Sequence, residues 1–329
     1  MTARSFSSPL LVLSHADLIG LLSPAALLEP VTSAARVSGG GIPYAPQRQH
    51  LDWNGKSLLT MPAVAHDLIA TKLVSVVPDN AGRALPVTNG VMILLDGETG
   101  VPLALLNAAA LTALRTGAVG ALGVKYMTPG DTHSVGIVGC GVQGAWQAIF
   151  AAAVRPISEV FCVARSATGF ERFNLLVRSQ APNLRIILCR DVPQLLERTE
   201  LVIAATTSAV PVLPNEPGPL EGKHFISIGS YRPSMQELPD AVYRLAGHIV
   251  IDTDAARAEV GDVIGPLERG IVDARAVFTI GALVAGQRTV DPGRTTAYKS
   301  VGMALYDLFV ARVLYAEARA RKAGCEVAL

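Results

Sequence analysis

Short apolar runs set two rhythms along the chain. In the first, LLVLS at 10–14 reads as a strand and HADLIGLL behind it as a helix. SGGGIPYAPQRQHL, at 38–51, breaks regular structure with glycine and proline. SLLTMPAV and TKLVSVV read as short strands, with Lys72 opening the second. VMILLDGETGVPLALL reads as a hairpin, two apolar runs around DGETG. An alanine-rich helix is predicted from about Ala108 to Met127, with Thr112, Arg115, Thr116 and Val119 on one face. From about residue 134 the rhythm changes. SVGIVG, EVFCVA, RIILC, ELVIAA, HFISIG and HIVID recur at regular intervals with helical or loop segments between them, the pattern of a parallel sheet with crossover helices. The last segment, TTAYKSVGMALYDLFVARVLYAEARARK, reads as one long amphipathic helix with no strand after it. The prediction is an α/β protein: a Rossmann-like doubly wound parallel sheet over 126–295, inserted into a discontinuous α+β domain formed by 1–125 plus 296–329.

Composition narrows the picture. A chain of 329 residues accommodates two domains. Half the residues are hydrophobic and 17% are charged, which suits a packed protein rather than a disordered one. With a net charge of +1 and no basic run, nothing points to nucleic acid or an anionic membrane. Cys140, Cys162, Cys189 and Cys325 are scattered without metal-ligand spacing. They read as free thiols of a reducing compartment. The first residues lack a cleavage pattern and no apolar run is long enough to span a bilayer, so the expectation is cytoplasmic, with no membrane and no metal.

The strongest chemical signal is VGIVGCGVQG, at 135–144. Gly139, Gly141 and Gly144 match G-x-G-x-x-G, with a predicted strand before and a helix after. The three glycines serve a tight turn, close backbone approach to a pyrophosphate and close helix–sheet packing. The helix start offers unpaired N–H groups to phosphate, so Cys140, Val142 and Gln143 join the candidate cofactor residues. An NAD-binding unit places an acid about 20 residues beyond the glycines. Here that point reads Ala164, Arg165, Ser166. An arginine and a hydroxyl suit a 2′-phosphate, which predicts NADPH over NADH, unless Arg165 is simply a solvated charge. Thr206, Thr207 and Ser230 are further candidates for the cofactor pocket. They follow strands at their carboxyl ends, where open α/β sheets bind ligands.

The rest of the chain supplies cations: Arg48 after the proline turn, Lys72, and Arg115 on the alanine helix. Arg115 interrupts a small, apolar helix, so it must be paired or face a polar cavity. Three such cations converging would bind a carboxylate.

PQRQH, LLTMPA, TKLVSVVP, LLDGETGVPLALLNAAALTALRTGAV running into IVGCGVQG, ATTSAVPVL, SIGSYRPSMQELP and TTAYKSVGMALYDLFVA follow in order along nearly the whole chain. In this the chain resembles the ornithine cyclodeaminase and mu-crystallin family. The resemblance implies a homodimer, with substrate and dimer surfaces on the first domain and a nicotinamide cofactor on the Rossmann domain. Arg48, Lys72 and Arg115 match the family's carboxylate binders, with Lys72 also a candidate for proton transfer. Thr88 matches a further active-site position, and Ser300 a position near the nicotinamide. Tyr231 stands where the cyclodeaminases carry an aspartate. A phenol, with a reference pKa near 10, holds no ammonium at neutral pH. The chain is therefore more similar to the family's cyclic-ketimine reductases. That similarity implies reduction of Δ1-pyrroline-2-carboxylate or Δ1-piperideine-2-carboxylate to L-proline or L-pipecolate, with Lys72, Tyr231 or water as proton donor. The alternatives are ornithine cyclodeamination or amino-acid dehydrogenation, and NADPH-dependent binding of a small ligand.

Overall fold

The computed structural model describes residues 9–37, 42–83 and 85–328. The chain divides into two compact units, Met1–Arg115 with Met303–Leu329, and Thr116–Gly302. Among the described residues, no single helix is long and apolar enough to cross a membrane.

The first unit is built on a seven-stranded mixed sheet. Its strands are β1 (Leu10–Leu13), β2 (Gln49–Trp53), β3 (Lys56–Val64), β4 (Leu68–Val76), β5 (Thr88–Asp96), β6 (Pro102–Asn107) and β15 (Cys325–Val327), in the order β15-β1-β6-β5-β4-β3-β2. Only β1 and β6 run parallel. Period-2 alternation decides which residues face inward. Leu59, Met61 and Ala63 of β3 and Leu68, Ala70, Lys72 and Val74 of β4 are buried. The register aligns Met61, Lys72, Met92 and Leu106 across four strands, so Lys72 lies between two buried methionines. The C-terminal helix, Ala304–Arg321, packs on an N-terminal helix, Leu28–Val37, and on β3 and β4.

The second unit holds an eight-stranded, all-parallel sheet. It comprises β7 (Ser134–Val138), β8 (Glu159–Val163), β9 (Arg185–Leu188), β10 (Leu201–Ala204), β11 (His224–Ser227), β12 (Ile249–Ile251), β13 (Val277–Thr279) and β14 (Thr296–Lys299). The order β13-β12-β14-β11-β10-β7-β8-β9 reverses direction between β7 and β10, as a doubly wound sheet does.

The final segment is not one helix. Thr296–Lys299 is a fully buried strand between β11 and β12, and the helix begins only after Gly302, whose φ of 77° turns the chain. A strand does follow that helix: β15, three exposed residues on the edge beside β1, too short to show alternation. Lys72 does not open its strand but lies in its middle, because Leu68 and Ala70 continue the buried alternation backwards. Of the predicted break, 38–41 lies outside the described residues, and its end, Gln49–Leu51, is already strand β2. The alanine helix runs from Ala108 to Met127, and the hairpin closes where it was expected, with Gly100 at φ 71°.

Candidate functional site

In the first unit one carboxylate gathers two cations. Lys72 Nζ is 2.7 Å from both Asp307 oxygens and 3.3 Å from Thr112 Oγ1. Arg115 donates Nε to Asp307 Oδ1 at 3.0 Å. Asp307 is fully buried, and Lys72 and Arg115 are 1% and 6% exposed, so these charges have left bulk water and rely on one another. Burial pushes the Lys72 ammonium down to about 7; Asp307 opposes that, while the positive charges of Arg115 and Arg48 add to it. Arg48 is thus close enough to act on Lys72. It precedes β2 by one residue, and continuing the register places it opposite Met61, in the Lys72 row. Thr88 is exposed, at the start of β5 opposite Val76. It lies four residues along the sheet from that row, about 13 Å.

In the second unit each glycine of the turn has a separate physical task. Gly139 has φ 107°, and a Cβ there would lie 2.6 Å from Ala205 O. A Cβ on Gly144 would lie 2.2 Å from Gly139 O, so this glycine lets helix and turn touch. Gly141 would meet nothing within 4 Å, and it caps the helix Val142–Ala152 without a side-chain bond. The first N–H groups of that helix are therefore open to a pyrophosphate, with exposed Val142 and half-buried Gln143 beside them. The Gln143 Oε1 atom is buried without a partner. Cys140 is half-buried, its Sγ 3.5 Å from Val163 O. Arg165 is exposed just beyond β8, and Ser166 caps the next helix by accepting from Gly169 N at 3.1 Å. These residues fit a dinucleotide.

The carboxyl ends of the other strands are organised by buried acids that the pattern of the chain did not mark as functional. Glu237 accepts from Thr206 N and Oγ1 at 2.6 and 2.8 Å, from Ser227 Oγ and Gly229 N at 2.7 Å, and from Ser230 N at 3.1 Å. Asp262 accepts from Glu237 N and Leu238 N at 3.0 Å, from Tyr243 Oη at 2.6 Å, and from Ser230 Oγ. Lys299 donates to Ser227 Oγ at 3.0 Å, and burial pushes its ammonium pKa down and the Glu237 carboxyl up. Ser300 Oγ donates to Asp252 Oδ2 at 2.7 Å. Thr206, Ser230 and Ser300 thus spend their side chains fixing these strand ends. Thr207 is exposed, and Tyr231 is half-buried with the Arg232 guanidinium 5.4 Å from its ring centre.

A doubly wound sheet with this glycine turn defines a dinucleotide-dependent enzyme of Rossmann type. The chain belongs to the ornithine cyclodeaminase/mu-crystallin family, which it matches over residues 11–322. It is 30% identical over 296 residues to the Delta(1)-pyrroline-2-carboxylate reductase of Bacillus cereus, covering 88% of this chain and 87% of that one. The solved structure of the Thermococcus litoralis Delta(1)-pyrroline-2-carboxylate reductase in complex with NADH and L-proline is 28% identical, with a TM-score of 0.90 over 97% of this chain and all (100%) of that one. An archaeal alanine dehydrogenase dimer with bound NAD is 26% identical, with a TM-score of 0.87 over 97% and 99% of the two chains. Within the family, the chain is an NAD(P)H-dependent oxidoreductase.

Proposed function

We propose that the protein reduces a cyclic ketimine carboxylate, Δ1-pyrroline-2-carboxylate or Δ1-piperideine-2-carboxylate, to L-proline or L-pipecolate, with NADPH preferred. One observation carries the reading. Lys72 and Arg115 are two buried cations on one carboxylate, Asp307, which leaves the group short of an anion. A substrate carboxylate supplies that charge, held by guanidinium hydrogen bonds. A ring C=N beside it accepts hydride best when its nitrogen is protonated, and Lys72, held near neutral pKa, is suited to keep that proton available. A bound dihydronicotinamide supplies the hydride. Tyr231, in place of an acid, offers no charge for a second amino group. The phosphate preference rests on Arg165 and on the lack of an acid at the end of β8.

Alanine dehydrogenation is the second reading, favoured by the close match to the archaeal alanine dehydrogenase. Its open-chain imine carries the same carboxylate beside the same C=N bond. Initial rates of NADPH and NADH oxidation with the two cyclic imines, and with pyruvate plus ammonium, separate the readings. Fastest turnover on a cyclic imine supports the proposal; faster turnover on pyruvate with ammonium replaces it. Ammonia release from ornithine with NAD would move the assignment to cyclodeamination.

The working form is a homodimer. The face of the mixed sheet opposite Lys72 carries Leu51, Leu73 and Val91, which are 64%, 39% and 46% exposed, together with Leu58 and Ile93. An exposed apolar sheet face of this kind calls for a partner. A second copy is the occupant the archaeal dimer suggests.

A further inference from the structure

The cation pair has a fixed point. Asp307 lies in the first turn of the C-terminal helix. An acid there is ordinarily a solvated partner of the helix dipole. This one is out of solvent, flanked by buried Leu305, Tyr306 and Leu308, on a helix packed against β3 and β4. Its place is therefore set by core packing and not by a flexible surface side chain.

From that place it constrains both cations. Three ammonium protons of Lys72 have three acceptors in reach, the two Asp307 oxygens and Thr112 Oγ1. Arg115 gives Asp307 its Nε. A guanidinium grips a carboxylate along one edge, and with Nε committed the edge that remains is the one between its terminal nitrogens. Arg115 makes no other hydrogen bond among the described residues.

We propose that Asp307 is a positioning residue of the reductase site: its single buried carboxylate locks the Lys72 ammonium and the Arg115 Nε together, so that the terminal nitrogens of Arg115 present an end-on fork to the substrate carboxylate. This role rests on the imine-reductase reading above. The charged groups facing Lys72 are Asp307 from the C-terminal helix, Arg115 from the alanine helix and Arg48 before β2. Only Asp307 favours the charged amine, so removing its charge releases the Lys72 proton at lower pH.

The test compares wild type, Asp307→Asn and Asp307→Glu with Δ1-pyrroline-2-carboxylate across pH, with dinucleotide affinity and thermal unfolding measured alongside. For Asp307→Asn we expect kcat/KM to fall on the order of a hundredfold, as for a broken buried pair. The alkaline limb of its profile should shift to lower pH, with dinucleotide affinity unchanged. Asp307→Glu keeps the charge but moves the oxygens by a methylene. We expect a loss of about tenfold or more with the limb unmoved, because small misplacements at a reacting site are costly. If Asp307→Asn does not fold, Asp307→Glu decides alone. An active wild type with either variant at wild-type kinetics overturns the positioning role. A wild type inert toward both cyclic imines overturns the functional reading instead.

Discussion

Lys72 and Asp307 stand 235 positions apart in the chain and meet at 2.7 Å, both side chains withdrawn from solvent. Burial, joined by the positive charges of Arg115 and Arg48, drives the lysine toward its neutral form, and the aspartate limits that drive, leaving the ammonium pKa at about 7. Below that pH Lys72 carries a proton to give, and above it the amine is neutral. If that proton serves the imine, kcat/KM is level below about pH 7 and falls tenfold per pH unit above it. Lys72→Met should remove this limb and lower the rate by about 10²–10⁴-fold. An unchanged limb in Lys72→Met would assign it to the substrate or to another group.

The glycine turn separates packing from ligand approach. Gly144→Ala places a methyl against Gly139 O, and should cost about 1–3 kcal/mol of stability as well as dinucleotide binding. Gly141→Ala meets open space, so its melting temperature should hold while dinucleotide affinity drops. Thermal unfolding and fluorescence titration of the two variants check this. Equal stability losses would refute the division of tasks.

Arg165 is exposed beyond β8, with no acid beside it. Arg165→Ala should weaken NADPH by about tenfold, the loss of roughly 1.5 kcal/mol expected of one charge-assisted hydrogen bond, and leave NADH nearly untouched. Dissociation constants for both dinucleotides measure the ratio. Equal effects on the two would discard the phosphate contact.

Leu73 and Val91 lie opposite each other on the exposed sheet face. Leu73→Asp should leave the inner face of the sheet intact and shift the protein from dimer to monomer in sedimentation velocity. A wild-type protein that sediments as a monomer, or a variant that remains dimeric, would place the interface elsewhere or remove it.

What could be read along the chain differed by kind of signal. The glycine turn was legible because its first and last glycines answer local steric demands: Gly139 and Gly144 would each clash with nearby backbone if substituted. The alanine helix was legible from its uniform small residues. Thr296–Lys299 was not, because a four-residue buried strand is followed after only four residues by a long helix, and the turn between them is marked by a single glycine, Gly302. Asp307 was hidden for a different reason. Its counter-charges come from elements distant in sequence, and locally it reads as an ordinary first-turn acid. The available signal was Arg115, since a buried arginine in an apolar helix requires an anion somewhere. Glu237 and Asp262 were equally silent, two acids in loop and short-helix sequence that the fold turns into anchors for backbone N–H and hydroxyl donors.

In the proposed reaction the hydride passes to the ring carbon of a cyclic imino acid whose carboxylate is held by Lys72 and Arg115. Purified protein given Δ1-pyrroline-2-carboxylate and NADPH deuterated at the transferable C4 position tests it most directly, with mass spectrometry of the product. The expected product is L-proline carrying the deuterium at C2. Unreduced imine, or proline without deuterium, would contradict it.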